Sequence, residues 1–178
     1  MEMAEIKVVI TGPVGSGKTT FVKSVSQTPV IETDEVSTVD IGKGTTTVAL
    51  DFGTVRIEDV LIRLFGTPGQ ERFSFMWEDL MVEATGFVFL VDSSNPDSLP
   101  KARRMLQFYM SNYKIPFIIG ATRQDLKRVW SPEDIAAYFM LPEWVVRGVV
   151  ATDRESARDL LMYFLELLKR KGGRRWID

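Results

Sequence analysis

The stretch from Ile6 to Val22 constrains the fold more than any other part of the chain: Ile6-Lys7-Val8-Val9-Ile10-Thr11-Gly12-Pro13-Val14-Gly15-Ser16-Gly17-Lys18-Thr19-Thr20-Phe21-Val22. Val8 to Ile10 is an apolar run that reads as a buried strand. The run stops at Gly12, and from Lys18 onward Phe21, Val22 and Val25 follow a helical pattern. Between them lies G-x-x-x-x-G-K-T, in the strand–loop–helix context that a phosphate-binding loop requires. Its glycines let backbone N–H groups turn toward one point, and the helix aims its positive end there too. Gly12, Val14, Gly15, Ser16, Gly17, Lys18, Thr19 and Thr20 are therefore the expected phosphate contacts. Lys18 brings a charge for the β- and γ-phosphates, and the Thr19 hydroxyl is placed to bind magnesium. The stretch implies a bound nucleoside triphosphate.

Composition removes several other chemistries. The 178 residues suit one domain, 1–178, with enough apolar content for a substantial core. Without cysteine there are no disulfides, thiolate metal sites, or prenyl or palmitoyl anchors. Without histidine, imidazole catalysis and His-ligated metals are excluded. A net charge of −2 gives no global pull toward nucleic acid or an acidic membrane. Met1 to Glu5 is neither a signal peptide nor a myristoylation signal, and the apolar runs are too short to span a bilayer. The default expectation is a cytoplasmic monomer.

The order of elements can be read coarsely. A helix follows the loop to about Gln27, ended by Pro29. Residues 31–46 are polar, rich in Thr, Asp and Gly, and read as a loop. Thr47 to Ile57 and Val60 to Phe65 read as two strands of an antiparallel hairpin turning at Glu58-Asp59. A short helix is expected over Phe75 to Glu83, a buried strand over Gly86 to Val91, and a helix over Pro100 to Tyr113. Pro116 to Gly120 is the next buried strand. Ser131-Pro132-Glu133-Asp134 starts a helix. Trp144 to Ala151 is expected as a last strand and Ala157 to Lys169 as a last amphipathic helix. Strands alternating with helices predict a three-layer α/β fold, with a mainly parallel six-stranded sheet, one antiparallel strand and helices on both faces.

In such sheets the ligand sits beyond the carboxyl ends of the strands. Chemistry-bearing residues do follow each predicted strand: Gly66 to Glu71, Asp92-Ser93-Ser94, Thr122 to Asp125, and Ala151-Thr152.

These segments also carry a resemblance. Thr47-Val48-Ala49-Leu50-Asp51-Phe52 resembles the end of switch I in Rab-like proteins. Gly66-Thr67-Pro68-Gly69-Gln70-Glu71-Arg72-Phe73 resembles switch II. Thr122-Arg123-Gln124-Asp125 resembles the guanine-reading N/T-K-x-D motif, and Val150-Ala151-Thr152 the S-A-K motif. Over nearly its whole length the chain resembles Ras-superfamily small GTPases. Pro68 and the T-T-V-A-L-D-F-G stretch are closer to the prokaryotic group of gliding-motility and roadblock-associated switches.

The resemblance implies GTP/GDP and Mg2+ as cofactors, with switch I over about 31–47 and switch II over about 66–80. Asp125 would accept hydrogen bonds from the guanine N1–H and exocyclic amine. Arg123 would lie along the base, where the family has lysine, and Thr122 stands where it has asparagine. The Ala151 N–H would face guanine O6, with Thr152 beside it. Thr47 would join Thr19 on the metal and meet the γ-phosphate, with Thr45 and Thr46 as adjacent rivals. Gly69 would hold the γ-phosphate by its N–H, Gln70 would orient the attacking water, and Lys18 would complete the catalytic set. One departure stands out: the family's magnesium-region aspartate is Gly66 here, with Asp51 and Asp92 as candidates to stand in, each open also to a structural or solvated reading.

Phe73, Phe75, Met76 and Trp77 do not fit one helical face, so some are expected at a partner surface or in a pocket that follows the nucleotide. The tail Gly172 to Trp176 reads as a frayed terminus. The resemblance points to a slow GTP-hydrolysing switch. Its expected partners are a regulator of roadblock/longin type or another GTPase-activating protein, and an exchange factor; a partner would also carry it transiently to a membrane or cell pole. A nucleotide-binding scaffold without hydrolysis and an ATP-dependent enzyme of the phosphate-loop class stay open as alternatives.

Overall fold

In the computed structural model, which describes residues 4–30, 36–40, 45–70, 74–172 and 174–177, β1 (Ala4–Thr11) lies inside the main sheet. It pairs in parallel with β5 (Val60–Gly66) on one side and β6 (Gly86–Asp92) on the other. Neighbours on both edges and helices over both faces leave Val8, Val9 and Ile10 at most 1% exposed, which is why this part of the strand is purely apolar. The sheet continues through β7 (Phe117–Thr122) and β8 (Val146–Gly148), and on the far side through β4 (Asp51–Ile57). The order is β4-β5-β1-β6-β7-β8, and β4 is the antiparallel member, turning into β5 at Glu58-Asp59 with Ile57 opposite Val60. The expected six-stranded sheet and its antiparallel hairpin are both present.

Alternation along the strands sorts the core into two halves. Val8, Ile10, Ile62, Leu64, Val88 and Leu90 face α1 (Lys18–Val25) and α5 (Arg154–Lys171). Val9, Phe87, Phe89 and Val91 face α2 (Phe75–Met81), α3 (Leu99–Asn112) and α4 (Pro132–Phe139). Helices therefore cover both faces. The α4 start follows its sequence signal: Ser131 Oγ accepts from the Asp134 N–H at 3.1 Å, with Pro132 at the first helical position.

Four expectations are corrected. The segment read as a loop, 31–46, contains β2 (Val36–Asp40) and the first two residues of β3 (Thr45–Ala49), paired as an antiparallel ribbon apart from the main sheet with Thr38 opposite Thr47. Polar composition hid β-branched runs, Val-Ser-Thr-Val and Thr-Thr-Thr-Val, that suit a pleated ladder. Second, the strand expected from Thr47 to Ile57 is split at Leu50 because its partner changes, from β2 before the break to β5 after it. Third, the strand expected over Trp144 to Ala151 is reduced to β8, preceded by a 3-10 turn at Glu143–Val145 that follows Pro142. An edge strand pairs on one side alone, which lets it stay this short. Fourth, the tail is not frayed where it is described. Trp176 Nε1 donates to the Phe117 carbonyl at 2.7 Å, and its ring packs edge-on against Trp144 and Phe164.

Candidate functional site

The turn from Gly12 to Gly17 sits at the carboxyl end of β1 and leads straight into α1. Gly12 has φ 142°, and a β-carbon there would lie 2.4 Å from the Leu90 carbonyl oxygen; both conformation and space demand glycine. Lys18 curls under the loop, its Nζ donating to the carbonyls of Gly12 and Pro13, each at 2.7 Å. It is 9% exposed. Burial lowers its pKa from 10.5 to about 8, with the Asp51 carboxylate acting in the opposite direction. Two neutral carbonyls compensate a buried ammonium poorly, so an anion at its remaining N–H would relieve the strain on the charge. This donor set, at a helix N-terminus, fits a phosphate group.

Gly69 closes over the same point. A β-carbon there would stand 2.6 Å from Lys18 Nζ and 2.8 Å from the Val14 nitrogen, so no larger residue fits. Two contacts tie this segment to α3. Thr67 Oγ1 donates to Thr11 Oγ1 at 2.9 Å, which donates to the Tyr109 hydroxyl at 2.8 Å. Trp77 Nε1 donates to the Pro68 carbonyl at 2.8 Å while its ring stacks on Tyr109. Burial raises the Tyr109 phenol far above its ordinary pKa, so it stays a neutral hydroxyl. Sequence reasoning missed Thr11 and Tyr109: nothing local marks two residues 98 positions apart as one buried network.

On the other side of the loop, a cavity of about 330 Å3 is lined by Ser16, Gly17 and Thr20, by Thr122 at the end of β7 and Arg123 and Asp125 after it, and by Ala151 and Thr152 after β8. All eight were expected at the site, and they converge. Thr122 Oγ1 lies 3.0 Å from the carbonyls of both Ser16 and Val91, stitching β7 to the loop. Asp125 is exposed at the cavity. A larger cavity of about 510 Å3, between Tyr113 and the tail at Trp176, lies at the amino end of β7, away from these groups.

Arg123 and other expected residues have partners of their own. The Arg123 guanidinium bridges the Asp92 carboxylate at 3.1 Å and the Gly15 carbonyl at 3.2 Å, so it cross-braces the loop while the residue lines the cavity. Asp92 also accepts from the Ser94 N–H and hydroxyl, which removes it as a stand-in carboxylate. Asp51 accepts from Thr19 Oγ1 at 2.7 Å, a hard-oxygen pair of the kind divalent cations take. Gln70 is exposed. Thr47 lies in β3, and the metal role expected of its hydroxyl falls outside what the structure describes, as do Arg72 and Phe73. Of the apolar cluster, Met76 and Trp77 are buried and Phe75 is 47% exposed, so Trp77 is no surface anchor.

Comparison with known proteins places the chain among nucleotide-binding relatives. Residues 30–167, more than half of the chain, match the family described as "Conserved hypothetical ATP binding protein". An uncharacterized protein of Methanocaldococcus jannaschii is 32% identical over 148 residues, covering 83% of this chain and 88% of its own. ADP-ribosylation factor-related protein 1 of Homo sapiens is 25% identical over 177 residues, covering 98% of this chain and 82% of its own. The small COPII coat GTPase SAR1 of Giardia intestinalis is 24% identical over 177 residues, 96% and 87% of the two chains. The chain belongs to the family of conserved hypothetical ATP binding proteins and is related to small GTPases of the Arf and Sar1 type.

Proposed function

We propose that the chain is a single-domain guanine-nucleotide switch that hydrolyses GTP slowly. The observation that carries this reading is the Asp125 carboxylate at the cavity beside the phosphate loop. A carboxylate accepts from both guanine N1–H and the exocyclic amine, and adenine offers no such pair of donors. In this reading the loop residues and Lys18 hold the phosphates. Thr19 and Thr47 hold Mg2+, which neutralises charge on the phosphate oxygens. The Gly69 N–H meets the γ-phosphate, Gln70 orients water, and Ala151 and Thr152 border the base.

The experiment is a titration of the purified chain with GTP, GDP and ATP, each with and without magnesium. Guanine nucleotides are expected to bind at least about 100-fold tighter than ATP, because the wrong base leaves Asp125 unpaired. Asp125→Asn should shift preference toward xanthine nucleotides. Equal affinity for ATP and GTP would end the reading, and tighter binding of ATP would favour the nucleotide in the family's description. The finer parts of the proposal are membership of the prokaryotic gliding-motility group and regulation by a roadblock/longin-type protein or another GTPase-activating protein, with an exchange factor. Cytoplasmic location with transient recruitment to a membrane or pole completes it.

A further inference from the structure

Resting on that nucleotide reading, we infer that Asp51 is the carboxylate that positions the metal ligand of the phosphate loop, a role moved from the end of β5 to the neighbouring strand. The general arrangement in phosphate-loop NTPases pairs the loop Ser or Thr with an aspartate on a strand beside the site. Here the segment ending β5 is Gly66-Thr67-Pro68-Gly69, which has no carboxylate. Asp92, after β6, is held by Ser94 and Arg123. Asp51 remains, and it alone of the three positions touches the loop's hydroxyl residue: Thr19 Oγ1 donates to its Oδ2 at 2.7 Å.

The chemistry of that bond is directional. A hydroxyl has one proton and two lone pairs. Giving its proton to Asp51 fixes the rotamer and leaves the lone pairs of Oγ1 for a cation, while the carboxylate makes that oxygen a stronger donor. Asp51 thus acts through Thr19 as a positioning residue.

A second observation is independent of the hydrogen bond. Asp51 stands directly opposite Gly66 in the β4–β5 ladder. A β-carbon at position 66 would lie 3.0 Å from Asp51 Cβ and 3.2 Å from its Oδ2. Any side chain there would press on the carboxylate that Thr19 needs. Glycine at 66 and aspartate at 51 therefore make one arrangement: the carboxylate crosses the ladder and lies over the position that has none of its own.

The test is the dissociation rate of a fluorescent methylanthraniloyl-GDP from the full chain, measured against free Mg2+ concentration and in EDTA. Wild type, Asp51→Asn, Asp51→Ser, Gly66→Asp, Thr19→Ala and the exchanged pair Asp51→Gly with Gly66→Asp are compared, with folding followed by circular dichroism. The two Asp51 variants should still bind the nucleotide in EDTA, with the Mg2+ midpoint raised about 10- to 100-fold. In the Thr19→Ala background, Asp51→Asn should move the midpoint no further. Gly66→Asp alone should bring no gain, and the exchanged pair should recover part of the loss. An unchanged midpoint in a folded Asp51→Asn or Asp51→Ser protein overturns the inference, as does a lowered midpoint in Gly66→Asp with Asp51 intact. No binding of the guanine nucleotide by the wild type under any condition would instead remove the proposed function itself.

Discussion

Raising the pH from 7 to 9 should weaken nucleotide binding about tenfold through Lys18, if phosphate is what its ammonium awaits. In the free protein burial holds Lys18 at about 8, against an ordinary 10.5. About nine-tenths of the free molecules then carry the charge at pH 7, and about one-tenth at pH 9. A phosphate against Nζ favours the charged form, so binding takes up a proton, and the affinity lost over this range is about 1.4 kcal/mol. The sign for folding is opposite. The folded pKa lies below the unfolded one, so the unfolded chain binds more protons between about pH 8 and 10.5, and Lys18 makes the free fold more stable as pH rises through that window. Fluorescence titration with a GDP analogue from pH 7 to 9 gives the affinity. Calorimetry near pH 8 in two buffers of different ionisation heat gives the proton uptake. Lys18→Arg, with a permanent charge, should bind more weakly but with a flat profile. Constant wild-type affinity with no proton uptake would refute the argument, showing that the Lys18 nitrogen is either not suppressed by burial or not a phosphate partner.

Other expectations concern the link between the loop and α3. Tyr109→Phe leaves Thr11 without its acceptor inside the core and should cost about 1–2 kcal/mol in urea unfolding with little change in m-value; no loss would show that the hydroxyl is dispensable. Trp77 touches the Pro68 carbonyl, so its emission should change between GDP and a GTP analogue, whereas Trp144 and Trp176, packed together at the tail, should contribute little. Replacing each tryptophan by phenylalanine in turn checks this, and a signal that survives loss of Trp77 counts against movement of the 67–69 segment.

Legibility from sequence followed the range of the interactions. The loop, the buried strands and the Ser131 cap are written locally, in glycine spacing, apolar runs and capping chemistry. Of the β2–β3 ribbon, β2 was not legible, because Thr and Asp look the same in a loop as on a ladder, and the pairing of Thr38 with Thr47 decides between them. Convergence at the cavity was legible because strand ends in such sheets share one side. The partner of Arg123 was not: motif spacing places the residue at the cavity, and the fold alone brings the Asp92 carboxylate within 3.1 Å of its guanidinium. Asp51 was legible as a candidate and became specific through its place opposite Gly66, a matter of register.

The interior place of β1 has a consequence in time. Its Ile10 is paired with Gly66 on one side and Val88 on the other, so neither neighbour exists when the ribosome has made only the loop and α1. During synthesis the phosphate-binding turn emerges before β5 and β6 and gains these neighbours only after the chain has grown past β6. Such long-range pairing slows folding compared with a bundle of sequential helices. Until it is complete, Val8-Val9-Ile10 is an unpaired apolar strand of the kind that associates with other chains or with chaperones. Nascent chains whose β6 has not left the ribosome should therefore be protease-sensitive at the loop, and those in which Thr122 and Arg123 have also emerged should become resistant there.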